Sequence, residues 1–171
     1  MPPRSASVNP GSSRLAVGGL AGAVLFSGTW ILAGLADPSF SFTDNDTSDL
    51  GALTAAHPTP YNLGVSLSGL LTLGAAVALF RALPHRRAVL VGASLIAVFS
   101  LGQIIDGFAR EDCAASVNAL CRAAEQAGRV SVQHKIHNAE SLVTFSALAL
   151  APLLVGLGLR SIPAWRRLVP W

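Results

Sequence analysis

His134, His137 and Glu140 follow one another at three-residue steps. On a helix that spacing makes one broad face, which Ser141 and Thr144 extend. Imidazole and carboxylate are zinc-competent donors, although the spacing is not that of a zincin motif. The competing reading is an interfacial polar cluster wetted by headgroups and water. Gln103 and Asp106 share a face at the end of an otherwise apolar block. An ionisable group in such a block is costly and usually faces a bundle interior or a cavity, so Asp106 is the strongest single candidate for function. His134 or His137 is its expected partner, because short connections put both flanking segments on one rim. With Asp112 and Asn138 nearby, the candidate ligand-binding set is Gln103, Asp106, Asp112, His134, His137 and Asn138. No cofactor is favoured; zinc on His134, His137 and Asp112 is the metal reading.

Cys113 and Cys121 lie in the same polar stretch, and thiols outside the cytoplasm meet an oxidising environment that favours pairing. Eight residues of α-helix would hold them about 12 Å apart, whereas a bridge needs Cα atoms within about 7 Å. A disulfide and an unbroken helix from Cys113 to Cys121 therefore exclude each other. The alternative is two small apolar residues on a surface helix. Asp44-Asn45-Asp46-Thr47-Ser48-Asp49 opens like an EF-hand loop. Asp49, however, occupies the sharp-turn glycine position and Ala55 that of the bidentate glutamate. The stretch reads better as a solvated acidic loop than as a looser cation site. His57 and His85 read as ordinary loop residues.

The segments that must position these groups are unusually apolar. Of 171 residues, 51% are hydrophobic and 12% charged, against roughly 25% charged in soluble domains. The apolar residues form four blocks, Leu15 to Leu35, Leu63 to Leu83, Ala88 to Phe108 and Ser141 to Leu159. Each is close to the length of about 20 residues that crosses a hydrocarbon core. The expected fold is an all-α membrane protein, a bundle of four transmembrane helices with two extracytoplasmic loops. Residues 1–14 and 160–171 form the tails. Thr59-Pro60 offers a cap and first-turn proline for the second span, and Pro84 stops it before a tight His85-Arg86-Arg87 turn. Pro152 predicts a kink inside the fourth span. Gly18 and Gly22, then Gly64 and Ser68, are small residues at four-residue spacing, which favours close packing within one bundle over a dimer face.

Charge sets the orientation. Arg4, Arg14, Arg81, Arg86, Arg87, Arg160, Arg166 and Arg167 fall on one side, while the loop from Ala36 to Pro60 has four aspartates and no lysine or arginine. By the positive-inside rule both termini are cytoplasmic, in a cell (plasma or inner) membrane. Trp30 and Tyr61 then lie near the outer interface and Trp165 near the inner one. The basic residues flank apolar blocks, so they mark orientation and not a nucleic-acid footprint. Gly34 and Ala36 are placed as at a signal-peptidase site, but the preceding run of about 20 apolar residues exceeds the usual 7–15. It reads as a span.

Four pieces of the chain together resemble a family of bacterial and archaeal membrane proteins, domain of unknown function 998. They are Ser48-Asp49-Leu50-Gly51-Ala52, Tyr61-Asn62-Leu63-Gly64, Gly107-Phe108 with Asp112, and His134 with His137-Asn138. The resemblance implies a helical bundle of usually six spans with no established activity; this sequence holds four. By matching position it points to Asp49, Asn62, Asp112, His134, His137 and Asn138.

Three functions fit. The first is an accessory protein that binds a lipid headgroup or small amphiphile in an outward pocket lined by Asp106, Asp112, His134 and His137. The second is a metal-dependent membrane hydrolase acting on lipid. The third is a structural partner of itself or of another membrane protein. Transport fits least, since no inverted repeat or broken helix pair is visible. The topology predicts that the chain stays with membranes through alkaline washing and that tags at the two termini report one compartment. Tags in opposite compartments would refute it.

Overall fold

The computed structural model describes residues 10–83, 85–160 and 162–163. Arg4, Trp165, Arg166, Arg167 and Pro84, used above for topology, lie outside the described residues. The described chain folds into α1 (Pro10–Ala36), a 3-10 turn (Thr47–Gly51), α2 (Pro58–Ala82), α3 (Arg87–Asp106), α4 (Ala119–Gln126) and α5 (Val132–Arg160). Helices α1, α2, α3 and α5 are long and apolar enough to cross a membrane, and the chain is an all-α membrane protein.

The ends of these helices follow local chemistry. Prolines in the first turn of α2 need no amide partner there. Asn118 caps α4, its Oδ1 accepting from the amides of Leu120 and Cys121 at 3.0 and 3.1 Å. Gly128, at φ 67°, ends α4 in the left-handed region. The Gly128 amide then donates to the Glu125 carbonyl and the Arg129 amide to the Ala124 carbonyl, the paired bonds of a Schellman cap. Ser131 opens α5 by accepting from the His134 amide at 3.2 Å.

Helices α1 and α2 each begin five positions before the expected spans, at Pro10 and Pro58, and two other bounds bear on the polar residues. Helix α5 starts at Val132, nine positions before the expected Ser141, so His134, His137 and Glu140 all lie on the helix. Its polar first turns lower the hydropathy but offer no helix breaker, and Ser131 caps them. Helix α3 ends at Asp106, two positions early, where the Phe108 and Ala109 amides both return to the Ile105 carbonyl. Helix α5 runs through Pro152 without interruption.

The four long helices stand in a row: α1 packs on α2, α2 on α3, and α3 on α5. Small residues set each contact. A β-carbon on Gly22 would lie 2.8 Å from the Ser68 carbonyl oxygen, so α1 and α2 nearly touch by backbone. One on Gly69 would lie 2.7 Å from the Ser100 carbonyl oxygen and 3.0 Å from Gln103 Cβ. Gly18 and Gly22 thus serve packing within the bundle. Helices α1 and α5, at the ends of the row, leave an apolar groove between them, floored by α2 and α3. The groove has a volume of about 420 Å³ at its polar end and about 630 Å³ along its apolar length.

Both interhelical loops and α4 gather at one end of the bundle, the loop end. Cys113 and Cys121 are joined there, with Cα atoms 6.0 Å apart. The chain between them turns and becomes helical only at Ala119, as a bridge of that span requires.

Replacing Gly69 by alanine pushes a methyl into the Ser100 carbonyl and must part α2 from α3. Thermal melting of the purified variant is expected to show a loss of about 1–3 kcal/mol, the usual cost of overpacking. Gly28→Ala, where a β-carbon meets nothing within 4 Å, is the control and should melt with the parent. Equal melting of all three proteins would contradict the α2–α3 packing.

Candidate functional site

At the loop end a polar chamber opens among α2, α3, α5 and the 3-10 turn. Helix α3 carries Gln103 and Asp106 into it on successive turns of one face, and α5 carries His137, Asn138, Glu140, Ser141 and Thr144. Gly102 makes the approach of α5 to α3 close enough. A β-carbon there would lie 2.9 Å from Glu140 Oε2 and from Thr144 Cβ. The connecting segments add Asp46, Glu111 and Glu125, and aromatic rings of Phe26, Tyr61, Phe99 and Phe145 form much of the wall.

His137 is the hub. Its Nδ1 lies 2.7 Å from Asp106 Oδ1 and 3.1 Å from the Ala109 carbonyl oxygen. A single ring N–H cannot align with both. The Ala109 carbonyl has the hydrogen-bonding alignment, and Asp106 Oδ1 is the closer contact of the two. On the other side, Nε2 lies 3.6 Å from Glu111 Oε1 and 3.5 Å from the Ser141 hydroxyl. Glu140 accepts from Thr144 Oγ1 at 2.9 Å and from Ser141 Oγ at 3.3 Å, which hold its carboxylate toward the chamber. Gln103 is fixed by an ordered chain of donors. The Ser68 hydroxyl donates to the Val65 carbonyl at 2.6 Å, so it accepts from Gln103 Nε2 at 3.2 Å and leaves Oε1 free. Among the described residues, Gln103 Oε1, Asp106 Oδ1 and Glu111 Oε2 are buried chamber oxygens without a hydrogen-bond donor.

Charge in the chamber is one-sided. Asp46, Asp106, Glu111, Glu125 and Glu140 line it, and His137 is the one cationisable side chain among its described lining residues. Glu111 feels this directly. Burial raises its pKa from 4.5 to about 7; nearby Asp49 and Asp106 push the same way, and His137 with a Ser48 hydrogen bond opposes them. Asp106, His137 and Glu140 each offer a ligand atom, and these atoms lie within 4.8 Å of one another. The group is competent to hold a metal ion, with one imidazole and two carboxylates as the donor set.

The sequence candidates divide into two sets. Gln103, Asp106, His137 and Asn138 line the chamber. Asn138 also anchors α4, donating to Glu125 Oε1 at 2.5 Å. His134 and Asp112 do not join them. His134 is fully buried, and its Nδ1 accepts from the Asp112 amide at 3.0 Å, while the Asp112 carboxylate accepts from the Ser131 amide at 2.6 Å. The Ser131 hydroxyl first, and then the Ser131 amide, hold the Asp112 carboxyl below its ordinary pKa. Three residues turn a helix through about 300°, so His134 faces the loop above while His137 faces the chamber. The metal-competent set is accordingly Asp106, His137 and Glu140, not His134, His137 and Asp112.

The acidic stretch from Asp44 to Asp49 does not converge on one centre. Asp44 accepts from Ser41 and Thr43, and those hydroxyls lower its pKa. Asp49 accepts from Asn45 Nδ2 at 2.8 Å and from the Ser116 hydroxyl. Asn62 donates to the Gly51 carbonyl at 3.0 Å, and the Leu53 amide to the Glu111 carbonyl at 2.9 Å. Asp49, Asn62, Asp112 and His134 are therefore ties between loops and helices. Glu111 and Glu125 were absent from the sequence candidates. Glu111 lies in a loop dense in charge and Glu125 near the end of the short helix α4, and neither spacing nor composition separates an inward carboxylate from a solvated one there. Glu140 was visible as a face partner of His137, though not as a member of the binding set.

No curated protein and no solved structure matches this chain. A family model does, over residues 20–171, nearly the whole length. The chain belongs to the family described as protein of unknown function (DUF998), an integral membrane protein whose loop end carries this acidic chamber.

Proposed function

We propose that the protein binds a membrane lipid or small amphiphile, with the headgroup in the chamber and the tail in the groove between α1 and α5. One observation carries the reading: the polar chamber and the apolar groove meet at Phe26, Phe99 and Gln103, which line both. A continuous cavity that is polar at one end and apolar along the bundle matches an amphiphile in both chemistry and direction. The loop end is outward and both termini are cytoplasmic, in the plasma or inner membrane. Arginine clustering at the other end supports that orientation, and the Cys113–Cys121 bridge supports it independently, because disulfides persist in oxidising compartments.

A second reading is favoured by the Asp106, His137 and Glu140 group. Three such donors with an open position suit a zinc ion that lowers the pKa of a bound water, which would then attack a lipid ester or amide. Stoichiometric zinc in gently purified protein, lost in a His137→Ala variant, supports this reading. Metal-free protein counts against it.

The amphiphile reading is tested by mass spectrometry of lipids retained after purification. Leu148→Trp fills the groove and should reduce retained lipid at least several-fold. Asp106→Ala with Glu140→Ala should change which headgroups are retained. Unchanged lipid content in folded protein would overturn it. The chamber also predicts a pH dependence. A carboxyl whose folded pKa is raised to about 7 destabilises the fold as pH climbs from about 4.5 through 7, because the folded state then holds a proton the unfolded state has lost. Melting of the parent should fall by roughly 2–3 kcal/mol over that window. Glu111→Gln should flatten the fall and be the more stable protein at pH 8; an identical pH profile would refute the burial of Glu111.

A further inference from the structure

The chemical class of the headgroup follows from what the chamber leaves unpaired. Among the described residues, the buried chamber atoms without an aligned hydrogen-bond donor are oxygens: Gln103 Oε1, Glu111 Oε2 and Asp106 Oδ1, the last in close contact with His137 Nδ1. Gln103 and Glu111 are each more than nine-tenths buried. A buried acceptor needs a donor, and an acceptor bearing charge needs a cation. Among the described residues no lysine or arginine lines the chamber, and His137 already faces Asp106 and Glu111 from its two ring nitrogens. An anionic headgroup such as a phosphate would meet carboxylates on all sides. A neutral sugar would supply donors but leave the charge uncompensated. Phe26, Tyr61, Phe99 and Phe145 also line the chamber, and the face of an aromatic ring attracts cations and repels anions.

We infer that the chamber selects amphiphiles whose headgroup is a protonated amine, its N–H groups donating to Gln103, Asp106 and Glu111 beside the Glu140 carboxylate. The inference rests on the chamber-and-groove reading and adds the charge and donor character of the ligand. A bare metal ion would meet the same oxygens but would leave the aromatic wall and the adjoining apolar groove without an occupant. An ammonium on an alkyl tail occupies all three. Primary amines are favoured over quaternary ones, because three acceptors require donors and a methylated nitrogen has none.

The test uses the full chain in phosphatidylcholine nanodiscs, with empty nanodiscs subtracting partition into lipid. Four ligands share one twelve-carbon tail: dodecylamine, dodecyltrimethylammonium, dodecyl phosphate and dodecyl maltoside. Protein-specific binding should be at least tenfold tighter for dodecylamine than for dodecyl phosphate, with the quaternary compound between them. Asp106→Asn with Glu140→Gln should weaken the amine at least tenfold and narrow the gap. Asp44→Asn, whose carboxylate pairs with Ser41 and Thr43 outside the chamber, should change nothing. Equal binding of all four ligands, abolished by Leu148→Trp, would overturn amine selectivity while keeping the chamber-and-groove reading. Tighter phosphate binding, or amine binding blind to the double variant, would likewise overturn it. A tightly retained metal that excludes the amine would overturn it in favour of the ion. No protein-specific binding of any ligand to folded protein would remove both readings.

Discussion

Hydrocarbon solvates neither charges nor unpaired hydrogen-bonding groups, and the arrangement of polar atoms in this bundle follows from that constraint. Within the spans, several hydroxyls return to carbonyls of their own helix, while Ser66 donates across to the Ile104 carbonyl of α3. Ser68 donates to Val65, Thr72 to Ser68 and Ser100 to Ile96, at 2.6, 2.8 and 2.7 Å. The carboxylates of the long helices, Asp106 and Glu140, are instead at the loop end, where they face one another and His137. Helix α1, which carries no ionisable group beyond Arg14, is mostly surrounded by solvent of the apolar kind and packs on α2 alone among the long helices. Among the described residues, the buried side-chain atoms left without a hydrogen-bond partner are His134 Nε2, above the chamber, and three oxygens within it.

Its geometry depends on the loops as much as on the spans. A row of four helices fixes the depth at which α3 and α5 present their polar turns but does not close the end above them. Closure comes from short ties: Asp49 to Ser116 and Asn45, Asn62 to Gly51, Leu53 to Glu111, and Asp112 with His134. The Cys113–Cys121 bridge shortens the second loop, and Asn138 fastens α4 to α5 through Glu125. Each tie removes freedom from a segment that contributes a carboxylate to the chamber. Glu111 illustrates the effect. Its backbone carbonyl is held by Leu53, so its side chain stays buried although burial raises its pKa to about 7.

How much of this was legible in the sequence varies with the length scale of the signal. Four apolar blocks gave the spans directly, because lipid imposes a requirement on every residue of a crossing segment. Small residues at Gly22 and Gly64 announced close packing for the same reason. Asp106 and Gln103 stood out as polar residues in an apolar block. His134 was indistinguishable from His137 because a three-residue step places both on the same broad face, and only the loop above decides which one it engages. Glu111 and Glu125 could not be picked out at all. Their inward orientation is a product of the disulfide, the α4 cap at Asn118 and the Asn138 contact, three tertiary facts with no local periodicity. The motif residues Asp49, Asn62, Asp112 and His134 were correctly located at one end of the bundle, but their work there is architectural.

That separation bears on chemistry. The ties occupy the atoms that make them, as with His134 Nδ1, which accepts from the Asp112 amide, and the Asp112 carboxylate, which accepts from the Ser131 amide. Chamber groups are held equally firmly on one side and unmatched on the other: Gln103 by Ser68, Glu140 by Thr144, Asp106 by its contact with His137. Groups fixed in this way pay little conformational entropy when an occupant arrives, because their rotamers are already set. Several carboxylates so placed repel one another, and burial prevents water from screening them well. Among the described lining residues, His137 is the one side chain that can offset that repulsion, set against five carboxylates. The cavity is thus preorganised for positive charge by the same contacts that shape it, and its junction with the apolar groove gives a bound cation room for a hydrocarbon tail.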